Sequence, residues 1–351
     1  MSDRQVFHGK TLGVLASPDP VRPDSAGGVI NPAAARDRDG VLHLFPRLVD
    51  ASGCSRIGRA RVEIVDGQPY GLTWFDPVLT PRETYEGAGP ANEGMRGCED
   101  PRITFVEPID RYVMAYAAAG PRGSFVALAV SDDLISWERL GPVEFSADPG
   151  LGADFNTIEN KDAAVFPRAV VGPDGTPSLA ILHRPLYDDR TKPAIAPDAR
   201  HAIWMSYAPL DAVVQDVRAL GRLGQHHLLA SPEQPWESAW IGGGAPPVLV
   251  NGEWIVVYHG VAARGRADGD PRKPLVYSAG VMVLDAHDPR RLRYRQAGPL
   301  LVPEVGSEEN DVLFPTGVDR QSDGAIDVYY GLADLKIGAA RVYPSSAPVV
   351  P

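Results

Sequence analysis

The chain has 351 residues and a formal charge of −11, from 34 Lys and Arg against 45 Asp and Glu. Hydrophobic residues at 44% and charged residues at 23% are globular values and exclude an intrinsically disordered chain. The acidic balance excludes a broad basic face for nucleic acid or an anionic membrane, and 36 Gly with 34 Pro ask for many turns and short strands.

The start, Met1-Ser2-Asp3-Arg4-Gln5, is followed by no apolar leader, and no run approaches the roughly 18 apolar residues of a membrane span. With only Cys54 and Cys98 present, a reducing, cytoplasmic location is expected. Strand-length runs rich in aromatic and β-branched residues then recur at 41–48, 112–118, 178–182, 254–258 and 326–330. Four of them follow an Asp-Gly or Asn-Gly turn signal, at Asp39-Gly40, Asp174-Gly175, Asn251-Gly252 and Asp323-Gly324.

The runs are evenly spaced. Taking Arg47, Tyr116, His183, His259 and Tyr330 as equivalent strand ends gives steps of 69, 67, 76 and 71 residues. Each is preceded by a proline, and from Pro32, Pro101, Pro167 and Pro315 the strand end lies 15 or 16 residues on, from Pro247 12. This ruler predicts an all-β, five-bladed propeller filling 1–351 as a single domain. Its blades fall near 28–95, 96–158, 159–238, 239–306 and 307–342. A strand near 6–14 would complete the last blade, because an unpaired edge is a liability. The alternative is a pair of β-sandwiches with coincident spacing. In a propeller the first strand of each blade lines the centre, so residues distant in sequence converge on one cavity.

The strongest local string is Gly97-Cys98-Glu99-Asp100-Pro101-Arg102-Ile103. Two carboxylates and an Arg before an inward strand offer an acid with a tuned pKa, while an Asp-Pro turn with an ion pair is the structural alternative. Extended neighbours point to opposite faces, so Glu99 and Asp100 are expected to have different roles. Lys161-Asp162, His183-Arg184, Tyr258-His259 and Asp334 follow at comparable positions. A cavity with Arg47, Lys161, His183, Arg184 and His259 among Asp100, Asp162 and Asp334 suits a neutral polyol beside an anion such as phosphate. No metal-ligand spacing, phosphate-binding nucleotide loop or Gly-x-Ser-x-Gly elbow occurs, so neither metal nor cofactor is expected.

Seven strings resemble glycoside hydrolase family 130. They are the Glu-Asp-Pro-Arg string above, Lys161-Asp162-Ala163-Ala164, His183-Arg184-Pro185, Gly242 to Pro247, Tyr258-His259-Gly260, Phe314-Pro315-Thr316-Gly317 and Tyr330-Gly331-Leu332-Ala333-Asp334. The resemblance runs in order from about Asn31 to Asp334. It implies a five-bladed propeller that cleaves β-mannosides with inversion, most members being phosphorylases that release α-mannose 1-phosphate and some β-1,2-mannosidases. It makes Asp100 the proton donor, acting through a sugar hydroxyl, and Asp334 a ligand of mannose hydroxyls. Arg184, Tyr258 and His259 match positions that hold phosphate. Asn31, Arg47, Arg102, Lys161 and Asp162 are further candidates for binding substrate. The expected partners are a β-mannoside or manno-oligosaccharide and inorganic phosphate as co-substrate; a homo-oligomer is allowed.

One departure stands out. The family's phosphorylases carry a Lys just before the Gly-x-Gly-x-Pro-Pro string, where this chain has Trp240. A hydrolase would need a second carboxylate as base, for which Glu304, Glu308 and Glu309 are candidates. A non-catalytic carbohydrate-binding propeller is a third reading.

Overall fold

The computed structural model describes residues 6–19, 21–88, 96–264, 275–304 and 310–345. Among them strands dominate, and the one α-helix is the six-residue Leu210–Gln215. Glu308 and Glu309 lie outside the described residues. No described helix is long and apolar enough to cross a membrane.

Every predicted run forms the second strand of an antiparallel meander: Leu42–Val49, Arg111–Gly120, Pro177–Pro185, Glu253–Ala263 and Ile326–Leu332. The turns that launch four of them use glycine where φ is positive, as at Gly40 (81°) and Gly252 (80°). The corresponding first strands are Gly28–Arg36, Arg96–Val106, Asn160–Val165, Trp240–Gly243 and Leu313–Arg320. They meet one another. Gly28–Arg36 contacts both Arg96–Val106 and Leu313–Arg320, and Asn160–Val165 contacts Arg96–Val106 and Trp240–Gly243.

Hydrogen bonding divides the strands into four sheets rather than five. The first two meanders are merged by a short parallel pairing of Cys54 and Ser55 with Arg96 and Gly97. Gly97 permits it: φ there is 122°, and a Cβ would collide with the Ser55 carbonyl. The N-terminal Val6–Ala16 pairs antiparallel with Lys336–Ser345 and completes the last sheet, so the chain's beginning covers the edge its end would expose.

Apolar cores lie between successive meanders. Val113, Leu128 and Val130 pack with Val165, Ile181 and Trp204, and Phe7 joins Val257, Val281, Val328 and Tyr330. These side chains leave the strands on alternate faces. The residues between them are therefore free to point elsewhere.

Candidate active site

Three first strands carry the same defect at the same place. Register slips by one residue between Ile30 and Ala33, between Glu99 and Arg102, and between Lys161 and Ala164. Each bulge holds a residue at positive φ: Asn31 (47°), Asp100 (48°) and Asp162 (56°). Asn and Asp tolerate this conformation best among residues with a side chain, and a bulge re-aims the side chain it carries. Asn31 and Asp100 are also followed by proline, which disfavours helical geometry in the residue before it, so the strain is local and held by its surroundings.

The three side chains are joined into one network. Asn31 Nδ2 donates to Asp100 Oδ1 (2.8 Å), which also accepts from Arg47 Nη1 (3.3 Å). Arg47 gives its other donors to Glu99 Oε1 (2.8 Å) and Ser55 Oγ (2.9 Å). Arg102, 1% exposed, donates to the carbonyls of Asp100 (2.8 Å) and Gly244 (3.0 Å) and to Asp162 Oδ1 (3.3 Å). Asp162 Oδ2 accepts from Arg184 Nε, and His259 Nε2 lies 3.8 Å from the same oxygen. Arg47 and Arg102, expected to touch substrate, are thus occupied within the protein and orient the carboxylates.

The electrostatics separate the carboxyls. Burial works to raise Asp100, but Arg47, Arg102, Asn31 and Lys161 outweigh it and hold it below the usual carboxylate range. Asp162 is held far below that range: burial is overcome by Arg184, His259 and Arg102. Burial raises Glu99 against the pull of Arg47. Asp334 stays exposed at the rim at φ 55°, yet burial of its carboxyl and the Asp100 charge raise it, with Arg47 opposing. Glu99 and Asp100 share Arg47, contrary to the alternation expected for extended neighbours, because the bulge turns Asp100 out of the strand's regular sequence of faces.

A family model described as beta-1,4-mannooligosaccharide phosphorylase matches residues 19–345. The chain belongs to glycoside hydrolase family 130. It is 30% identical over 323 residues to a 1,2-beta-oligomannan phosphorylase of Thermoanaerobacter sp. strain X514, covering 89% of this chain and 88% of that one. Similarity to a beta-1,2-mannobiose phosphorylase of Listeria innocua is 28% over 245 residues, 69% of this chain and 56% of the relative. The solved Listeria innocua beta-1,2-mannobiose phosphorylase, in complex with beta-1,2-mannobiose, superposes with a TM-score of 0.67 at 22% identity, covering 95% and 96% of the two chains. A structure described as showing that this family contains glycoside hydrolases targeting beta-1,2-mannosidic linkages in Candida mannan gives 0.70 at 23%, covering 98% and 95%.

Two candidate residues of the family strings turn away from this network. Tyr258 is fully buried; its hydroxyl donates to Glu237 Oε1 (2.6 Å) and accepts from Arg295 Nε (3.1 Å), while Arg295 Nη2 donates to Glu237 Oε2 (2.7 Å). The same arrangement occurs in the second meander. There Glu86 accepts from the Tyr116 hydroxyl (2.7 Å) and Arg139 Nε (2.7 Å). Each Glu also takes two backbone N–H groups at the start of its 3-10 turn: Arg82 and Glu83 at 2.9 and 3.1 Å, Glu233 and Gln234 at 2.8 and 2.9 Å. Tyr258 is thus the counterpart of Tyr116, a structural residue. The repeat is visible in the sequence as Pro81-Arg-Glu-Thr-Tyr-Glu86 and Pro232-Glu-Gln-Pro-Trp-Glu237, a signal outside the expectations above. A Tyr258→Phe protein should lose about 1–3 kcal/mol of stability, since a buried carboxylate loses a donor. Its phosphate and mannoside saturation should be unchanged; a weakened phosphate saturation in steady-state kinetics would return Tyr258 to the anion site.

His183 is the second. Its ring bonds Asn160 (3.0 Å) and Ser206 Oγ (2.7 Å) and packs on Phe145 and Phe155 inside the core. The neighbour Arg184 takes the inward face instead. Lys161 is half-buried and its charge acts on Glu99 and Asp100.

His259 lies in the network but behind it. Nδ1 donates to the Gly243 carbonyl (3.2 Å), and Nε2 is buried with no hydrogen-bond partner. Gly242 explains the crowding, because a Cβ there would collide with Asp162, His259 and Arg184 together. The Gly242-Gly243-Gly244 string is therefore a packing requirement and not a phosphate cradle.

Two residues outside the sequence expectations enter the site. Tyr277, half-buried, stacks on His259 (6.0 Å between rings) and feels the charges of Arg184, Asp334, Asp162 and Asp100. Burial, against Arg184, raises its hydroxyl to about 12, so it remains a donor. His201 Nδ1 lies 3.2 Å from Arg184 Nη1. Trp240, where the resemblance led to the expectation of a Lys, lies between the His201 (5.7 Å) and Tyr277 (6.1 Å) rings, its indole nitrogen buried without a hydrogen-bond partner.

Burial holds the imidazoles of His183, His201, His226, His227 and His259 below their ordinary value, His201 at about 4 and His259 at about 3. Unfolded, each titrates near pH 6.5, so below that pH the unfolded chain binds more protons than the folded one. Stability should accordingly fall as pH drops from about 7 to about 5, by on the order of 2 kcal/mol for a fully buried imidazole such as His259 or His183. The raised carboxyls of Glu99, Asp327 and Asp334 act in the opposite direction. Urea midpoints at the two pH values check this, and a midpoint that holds or rises on acidification contradicts it.

Proposed function

We propose that this protein is an inverting phosphorylase of β-mannosides, yielding α-mannose 1-phosphate with inorganic phosphate as co-substrate and no other cofactor. The carrying observation is the continuous chain of contacts from the Asp100 main-chain carbonyl through Arg102 and Asp162 to Arg184, which holds a carboxyl and a guanidinium with spare donors in one buried network. Similarity to a 1,2-beta-oligomannan phosphorylase across nearly all of both chains supports it.

Phosphate attacks C1 from the face opposite the leaving oxygen, the C1–O bond breaks, and the departing oxygen takes a proton supplied through Asp100. Asp100 is held ionised, so it takes up a solvent proton before relaying it through a sugar hydroxyl to the leaving oxygen. The hydrogen phosphate that attacks C1 gives up its own proton as mannose 1-phosphate forms, which balances the step. Burial already favours the protonated form, and Arg47, Arg102, Asn31 and Lys161 oppose it. Arg184 and the Tyr277 hydroxyl serve the anion; Asp334 at the rim and Asn31 serve the sugar.

The five meanders support a finer architecture, five blades of a single propeller near the boundaries expected from the sequence. A count of blades in a crystal structure tests it.

A mannosidase is the second reading, favoured by Trp240 standing where a cation is expected. Its base would come from the segment containing the exposed Glu304. The deciding experiment incubates the protein with β-1,2- and β-1,4-mannobiose, with and without phosphate. Mannose 1-phosphate formed only with phosphate supports the phosphorylase; free mannose released at the same rate without it supports the hydrolase.

A further inference from the structure

Arg184 has five N–H donors and no acceptor, and its direction decides what an anion meets. Nε is taken by Asp162 Oδ2, which ties down one edge of the guanidinium but leaves the far end free to swing. The far end is caught by His201, with Arg184 Nη1 3.2 Å from His201 Nδ1. Because Arg can only donate, His201 Nδ1 must carry its lone pair and the ring proton must sit on Nε2.

The imidazole is itself held. Tyr187 meets it edge-on at 6.1 Å and 87°, and the Trp240 ring lies 5.7 Å away. The His201 carbonyl accepts the Ile241 N–H (3.1 Å), which links this loop to the strand carrying Gly242 and Gly243.

We infer that His201 is a positioning residue for the anion subsite, accepting from Arg184 Nη1 so that the remaining Nη1 and Nη2 donors face the cavity as a fixed fork. The inference rests on the phosphorylase reading. With Asp162 and His201 as two fixed acceptors, the guanidinium plane has one orientation, and phosphate meets donors already arranged for two of its oxygens. Burial, with the nearby Arg184 charge, keeps the imidazole at about 4 and hence neutral at working pH, despite the opposing pull of Asp162. A protonated ring would lose the acceptor and repel the arginine.

The test compares His201→Gln, whose amide oxygen can still accept, with His201→Leu, whose side chain cannot. Initial rates on β-1,2-mannobiose are measured over a range of phosphate and of mannobiose concentrations, and phosphate binding is measured separately by calorimetry. The leucine protein should need about tenfold more phosphate for half-saturation, the scale of one charge-assisted hydrogen bond, with mannobiose saturation within about twofold of wild type. The glutamine protein should recover most of the loss. Equal effects of Gln and Leu, or a mannobiose shift as large as the phosphate shift, overturn the role of His201. If the leucine protein fails to fold by thermal melting, His201→Ala takes its place in the same comparison. A wild-type enzyme that neither binds phosphate nor depends on it overturns the phosphorylase reading itself, an outcome visible before any variant is made.

Discussion

An Asp100→Asn protein is expected to lose turnover by about 10³-fold or more, within the range assigned to general acid catalysis, while staying folded. Asparagine keeps the size of the side chain and one oxygen to accept from Asn31 and Arg47, which hold Asp100 at 2.8 and 3.3 Å. It cannot pass a proton to the leaving oxygen. Arg47 keeps its counter-charge in Glu99, so the buried guanidinium is not stranded. Mannobiose binding, followed by calorimetry, should survive within a few fold. A protein that binds sugar and turns over normally would remove Asp100 from the reaction. One that no longer binds would make it a sugar ligand instead.

Arg184→Ala is expected to cut phosphorolysis by about 10²–10³-fold and to abolish phosphate saturation, since a bidentate charge-assisted contact carries more than a single hydrogen bond. The chain's charge of −11 repels phosphate at long range, and Asp100, Asp162 and Asp334 add to that within the site. The other cation expected at the anion, His259, is neutral and shielded behind Asp162. Arg184 therefore has few substitutes. Arg184→Lys should restore little, because one ammonium cannot serve Asp162, His201 and phosphate together. Phosphate titrations of initial rate on β-1,2-mannobiose decide it, and an alanine protein saturating with phosphate like wild type would place the anion elsewhere.

Much of the architecture was legible in one dimension. Asp-Gly and Asn-Gly turns before four of the β-branched runs specify hairpins locally, and the fifth run, 112–118, was visible from its composition and spacing. The need to cover an edge placed the N-terminal strand against the last sheet. Asp100 and Asp162 stood out as carboxylates inside specific strings, and Asn31 precedes a proline just as Asp100 does.

Which neighbour in each dipeptide faces the cavity was settled only in three dimensions. Each bulge sets two residues opposite one, pairing Ile30 with Arg47, Glu99 with Ala117 and Lys161 with Arg184. The equivalent inward positions are therefore Arg47, Ala117, Arg184 and His259. The even spacing chose Tyr116 and His183, one residue away, and a strand slipped by one residue exchanges its faces. That is why His183 is packed in the core; Tyr258, next to the inward His259 on an unbulged strand, falls on the opposite face by simple alternation and is bonded to Glu237. Tyr277 and His201 carry no local signal: one is brought in by its pairing with Val261, the other by a loop that ends against the strand of Gly242. Short-range turn chemistry and alternating polarity are properties of the chain itself. The register across a bulge, and the partner that consumes an arginine's donors, exist only once strands distant in sequence lie side by side.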